Sequence, residues 1–179
     1  MKTVLPQLLT LIIASQMIAQ ENTHDSSRLT LDRIFAEREF KARGLDRYHW
    51  STPMASYFTI NTTEGGAEEL VRHKLETGAT ETVVPASALT PAGAADPLKV
   101  EDFALSPDES KLLIYTNSQR VWRQKTRGDY WVLEVGKPDS LRQLGGDAEP
   151  ATLMFAKFSP DGTQVAYVRD NNIHVQELA

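Results

Sequence analysis

Residues with chemical potential are sparse in this chain, and most stand apart from one another. There is no cysteine, which removes disulfides, thiolate metal sites and cysteine nucleophiles. The four histidines, His24, His49, His73 and His174, are scattered and show no Ser or Asp pattern that would build a nucleophile–base–orienter triad. No H-E-x-x-H or comparable spacing supplies metal ligands, and no cofactor is expected. Gly65-Gly66 and Gly145-Gly146 fit turns rather than a phosphate-cradling loop, and Asn61-Thr62-Thr63 has the form of a glycosylation sequon. The adjacent carboxylates Glu68-Glu69, within GGAEELVRHKLETG, read as an exposed loop or the start of a strand. The stretch NSQRVWRQKTRGDYWV, residues 117–132, is different. It concentrates Arg120, Arg123, Lys125 and Arg127 beside Trp122 and Trp131. A guanidinium presents its donors in a planar fork that suits carbonyl oxygens and carboxylates.

The elements around that stretch are β. LSPDESKLLIYTN, beginning at Leu105, repeats as FSPDGTQVAYVRD, beginning at Phe158, 53 residues later. A weaker copy, WSTPMASYFTI, begins at Trp50. Each copy reads as a strand, a tight turn in which Pro sets φ and Asp and Gly supply the turn chemistry, and a second strand. That second strand is apolar at every position, so it must be covered on both faces. In VAYV, Val165 and Tyr167 point one way, Ala166 and Val168 the other. A hairpin at Asp170–Asn172 and the strand IHVQEL follow. Strands repeating at this period indicate β-propeller blades.

Aligned on the repeat, the junction that takes about three residues in the later copy takes about a dozen in the earlier one, Ser118–Asp129. Loops longer than the fold requires are often functional. Trp122 is expected to anchor the loop and Arg123 to reach away from its blade. The bland alternative is a charged hairpin tip that solvates an edge and discourages aggregation.

The predicted fold class is all-β: an incomplete β-propeller of about two and a half to three blades over residues 47–179, where complete propellers have about four or more. Such an arc leaves an uncovered blade face, which predicts the front part of a longer protein. Residues 1–19 have a leading cation, an apolar run and small residues before Ala19, the layout of a cleaved signal peptide. This predicts a secreted or periplasmic location. Residues 20–46 read as a polar lead-in and a short helix over 31–37, with Thr30 as N-cap, Leu31, Ile34 and Phe35 on one face, and Phe40 docking the next segment. The net charge of −5 argues against a nucleic-acid partner and makes the basic stretch a local feature.

Four segments carry a family resemblance: LTLDRIF, GLDRYHW, VWRQKTRGDYWV and MFAKFSPDGTQVAYVRDNNIHVQEL. The chain resembles the N-terminal part of the dipeptidyl peptidase IV family of serine exopeptidases. The resemblance implies an eight-bladed propeller capping an α/β-hydrolase domain, and release of dipeptides from peptides with a free N-terminus. It further implies that Arg123 projects into the cavity between the domains and binds the carbonyl oxygen of the substrate residue N-terminal to the one cleaved. Arg120, Lys125 and Arg127 match no family role and are read as loop charges. The family's paired glutamates belong to a later blade, so Glu68-Glu69 does not match them. Its G-x-S-x-G nucleophile is absent from this sequence. No catalytic residue is therefore expected here. The partners implied are the hydrolase domain and the peptide substrate, and a homodimer is compatible with the resemblance. The competing expectation is a non-catalytic secreted propeller that binds proteins through the Trp-Arg hairpin.

Overall fold

The computed structural model describes residues 27–42, 44 and 47–178. The expected signal peptide lies outside them. Among the described residues no helix is long and apolar enough to cross a membrane.

Near the N-terminus, a single wide helical turn spans Asp32–Ala36, closed by a bond from Glu37 N–H to the Asp32 carbonyl at 2.8 Å. Thr30 does act at its start: its Oγ accepts from Arg33 N–H at 3.2 Å. The expected apolar face is not buried, since Leu31 and Phe35 are both exposed. The buried residue is Arg33, which pairs with Glu39 and lies over the Phe40 ring at 5.3 Å. Phe40 thus covers a guanidinium, a use of the aromatic face that outweighs apolar spacing in so short a helix.

From Tyr48 onward the chain forms three antiparallel sheets. The first is a meander of β1 (Tyr48–Trp50), β2 (Ser56–Thr62), β3 (Glu68–Lys74) and β4 (Thr80–Val84). The second is β5 (Asp102–Leu105), β6 (Lys111–Val121), β7 (Gln124–Glu134) and β8 (Arg142–Gln143). The third holds β9 (Met154–Phe158), β10 (Gln164–Arg169) and β11 (Asn172–Glu177), with β10 in the centre. The all-β, open propeller-like class is as expected.

The repeat is reproduced atom for atom. In the earlier copy Ser106 Oγ donates to Asp108 Oδ1 at 2.5 Å and accepts from Lys111 N–H at 2.9 Å, while Asp108 accepts from Ser110 N–H at 3.1 Å. In the later copy Ser159 Oγ donates to Asp161 at 2.6 Å and accepts from Gln164 N–H at 3.0 Å, and Asp161 accepts from Thr163 N–H at 3.0 Å. These donors hold both carboxyls down, to about 2, led by the serine hydroxyl in each case.

The core is two apolar layers. Phe58, Leu70, Val84 and Leu89 pack against Leu105, Leu112, Ile114 and Leu133. On the other side, Leu113, Tyr130 and Val132 pack against Leu153, Val165 and Tyr167. Leu112, Leu113 and Ile114 are consecutive and all buried, which is what a strand covered on both faces requires. At about 2 kcal/mol per buried aliphatic side chain, that one tripeptide holds three sheets in line. In β10 only Val165 and Tyr167 are buried, while Ala166 and Val168 are half-buried.

Candidate functional site

Strands β6 and β7 are each 11 residues long, whereas β10 and β11 are 6. The extra length does not enter the sheet. Burial runs through Lys111–Thr116 and stops at Asn117, beyond which the pair projects as a two-stranded finger. Pairing continues to Val121↔Gln124, so Trp122 and Arg123 alone make the turn. The expected dozen-residue loop is therefore ordered strand almost to its tip. The sequence resembled a loop because it is polar on both faces, as a ribbon with no sheet against it must be.

At the tip Trp122 is 93% exposed, so it does not anchor the finger, and the expectation that it would is corrected. Its φ is 61°, a left-handed conformation uncommon for a bulky residue and worth about 1–3 kcal/mol of strain. Arg120 Nε donates to the Trp122 carbonyl at 3.1 Å and supports the turn. Arg123 is exposed, with no hydrogen-bond or ion-pair partner among the described residues.

The root of the finger is held from two sides. The pairing register shifts between Thr116 and Gln119, and Asn117 has φ 48°. Such a bulge bends a strand and re-aims what lies beyond it. On one flank Glu101 accepts from Ser118 N–H at 2.9 Å and from the Ser118 hydroxyl, and pairs with Lys125 Nζ at 2.5 Å. Burial opposes ionisation of Glu101, but the hydrogen bonds from Lys125 and Ser118 outweigh it and lower its carboxyl to about 2. On the other flank Asp129 accepts from Asn117 Nδ2 at 2.8 Å and from Ala151 N–H at 2.7 Å. Gly128 exchanges both backbone bonds with Leu153, at 3.0 and 3.1 Å. Between the flanks, Tyr115 donates its hydroxyl to the Arg127 carbonyl at 2.8 Å, and its ring fills the place a Cβ on Gly128 would need. Burial pushes the Tyr115 phenol up to about 12. Lys125 is thus a structural pair for Glu101 rather than a loop charge, which sequence reading missed because Glu101 lies on another strand's lead-in.

The remaining candidates lie elsewhere. Glu68 and Glu69 open β3, where Glu68 binds Val100 N–H and Glu69 accepts from Asn61 at 3.3 Å. His73 bonds Thr59 Oγ1 at 2.8 Å and stacks on Tyr57. His174 stacks on Tyr167 across the β10–β11 pair, and His49 tilts toward Phe103. His24 lies outside the described residues. Among the described residues no group of three or more His, Asp or Glu side chains could hold a metal. A hollow of about 790 Å³ lies against the first sheet among Tyr48, Trp50, Tyr57 and His73.

Sheets of up to four antiparallel strands, stacked face to face and entered through a repeated Ser-Pro-Asp turn, define a series of β-propeller blades. Residues 106–179 match the model of the dipeptidyl peptidase IV (DPP IV) N-terminal region. It is similar to dipeptidyl aminopeptidase B of Saccharomyces cerevisiae, 38% identical over 78 residues, covering 44% of this chain and 9% of that protein. A probable dipeptidyl-aminopeptidase B of Neosartorya fischeri is 35% identical over 74 residues, or 41% of this chain and 8% of that protein. The chain thus spans under a tenth of the curated relatives' length. Among solved structures it resembles the Porphyromonas gingivalis dipeptidyl peptidase 4, with a TM-score of 0.63 at 20% identity over 83% of this chain and 20% of that one. The family match begins at Ser106, so it includes the finger but not LTLDRIF or GLDRYHW.

Proposed function

We propose that this chain forms part of the propeller wall of a secreted or periplasmic serine dipeptidyl peptidase, and that the finger delivers Arg123 to the substrate. The propeller would face a hydrolase domain carrying the nucleophile. Arg123 donates from its guanidinium to the carbonyl oxygen of the substrate residue N-terminal to the cleaved one. This fixes the peptide's register while the acyl-serine chemistry proceeds elsewhere. The carrying observation is the finger itself: a family-matched ribbon, braced at its root, holding an unpaired guanidinium at its extreme tip beside a strained, exposed Trp122. Strain of that kind concentrates at functional positions.

In the complete enzyme, Arg123→Ala should lower kcat/KM for dipeptide substrates by roughly 1.5–3 kcal/mol, the scale of a charge-assisted hydrogen bond. Arg123→Lys should recover only part, because an ammonium lacks the planar fork. Wild-type kinetics in Arg123→Ala would refute the assignment.

A further inference from the structure

The finger leaves the second sheet at the bulge around Asn117 and Ser118, which takes the Ser118 N–H out of the strand ladder. That donor is met by Glu101 Oε1 at 2.9 Å. The other oxygen of the same carboxylate takes the Ser118 hydroxyl and the Lys125 ammonium, the latter from the returning strand. One side chain therefore grips both strands of the finger just above the point where it bends. Glu101 is itself fixed, since its N–H donates to the Tyr115 carbonyl at 2.8 Å at the head of β5. Its side chain is only 18% exposed, unlike a freely solvated surface pair, so these charge-assisted bonds are partly shielded from water. The opposite flank differs in kind. Asp129 and Gly128 secure the finger's base to the segment leading into β9, and the Tyr115 hydroxyl reaches from β6 itself to the Arg127 and Lys125 carbonyls at 2.8 and 3.2 Å. Among the described residues, Glu101 is the side chain that hydrogen-bonds the segment beyond the bulge from outside β6 and β7.

We infer that Glu101 is a positioning residue that sets the tilt of the finger and thereby the location of Arg123; this rests on the reading of Arg123 given above. Glu101 lies outside the family-matched stretch. It acts through geometry: a ribbon pivoting at its root moves its tip most, and a displacement of the order of 1 Å at a substrate contact can cost up to about 10²-fold in rate.

The test compares Glu101→Gln, Arg123→Ala and the double variant in the complete enzyme, using a chromogenic dipeptide substrate, alongside amide hydrogen exchange over residues 118–129. Glutamine keeps the size and one acceptor for Ser118 but loses the charge that holds Lys125, so the fold is retained. Glu101→Gln should accelerate exchange in the finger and lower kcat/KM about tenfold, with no further loss once Arg123 is alanine, the non-additivity of two residues acting through one contact. Lys125→Met should reproduce the exchange effect. Full additivity of the two substitutions, or unchanged exchange in Glu101→Gln, overturns the inference. Should Arg123→Ala alone be silent, the substrate reading falls. Exchange over 118–129 then still decides whether Glu101 holds the finger: faster exchange supports the clamp, and wild-type exchange removes it.

Discussion

The first two strands of the second and of the third sheet are joined by the same Ser-Pro-Asp turn, yet the next residue is Glu109 in one and Gly162 in the other. Both occupy left-handed backbone, with φ of 58° and 70°. What differs is the neighbour. A Cβ on Gly162 would meet Ser106 Cβ at 3.2 Å and Pro107 Cδ at 3.6 Å, because the later turn lies against the earlier one. Glu109 faces the first sheet instead, where its carboxylate lies 3.5 Å from Arg72, whose guanidinium also covers the Phe58 ring. The preceding sheet, not the turn, decides which side chain the position accepts. The two hairpins diverge in the same way. The third sheet closes through Asp170 and Asn171, both left-handed, in the two-residue turn typical of tight hairpins. The second runs on past its neighbours into the finger.

The largest effect should come from the position that only the finger-bearing sheet needs. In Gly128→Ala the new Cβ would stand 2.3 Å from Tyr115 Cε2 and 2.8 Å from the Thr116 carbonyl. Thermal or denaturant unfolding should show a loss of about 3 kcal/mol, the upper range for overpacking. A stable Gly128→Ala protein would mean that the finger's root is looser than its contacts imply.

Exchanging the turn residues should come next. Glu109→Gly leaves Arg72 with distant Glu81 as its carboxylate partner but removes backbone strain, and should cost about 2 kcal/mol, below the roughly 3–5 kcal/mol of breaking a buried pair outright. The Arg72→Met, Glu109→Gly double variant should recover much of that. Recovery absent in a double-mutant cycle would show that the pair is not what holds glutamate there.

A smaller effect common to both copies should appear in acid. Asp108 and Asp161 have carboxyls lowered from 3.8 to about 2 in the folded chain. Their contribution is complete above the unfolded value and is lost as pH falls through the folded one, so stability should decline between about pH 4 and 2. Asp108→Asn and Asp161→Asn should each flatten that decline, and by similar amounts if the two turns are equivalent. Last, Trp122→Ala should change stability by no more than about 0.5 kcal/mol, since the ring is exposed and packs on nothing.

The repeat was readable because its turn chemistry is local: Ser106, Asp108 and the Ser110 and Lys111 N–H groups satisfy one another within six residues. The fully buried strand at Leu112–Ile114 was readable because an unbroken apolar run has few alternatives. The finger was located correctly, and its tip pair Trp122-Arg123 singled out, but its form was not. Polar residues on both faces carry no period-2 signal, and the ribbon is fixed by contacts from Glu101 and Ala151, distant along the chain. The helical face at Leu31, Ile34 and Phe35 failed for the opposite reason. Its spacing is local, but burial there went to Arg33 through Glu39 and Phe40.

Asp129 bonds both across the finger and to Ala151, so the finger is braced at its root without help from Trp122. The two tip residues are then passengers as far as folding is concerned. Natural variation, or a library of replacements at 122 and 123, can explore new recognition chemistry there without endangering the architecture beneath.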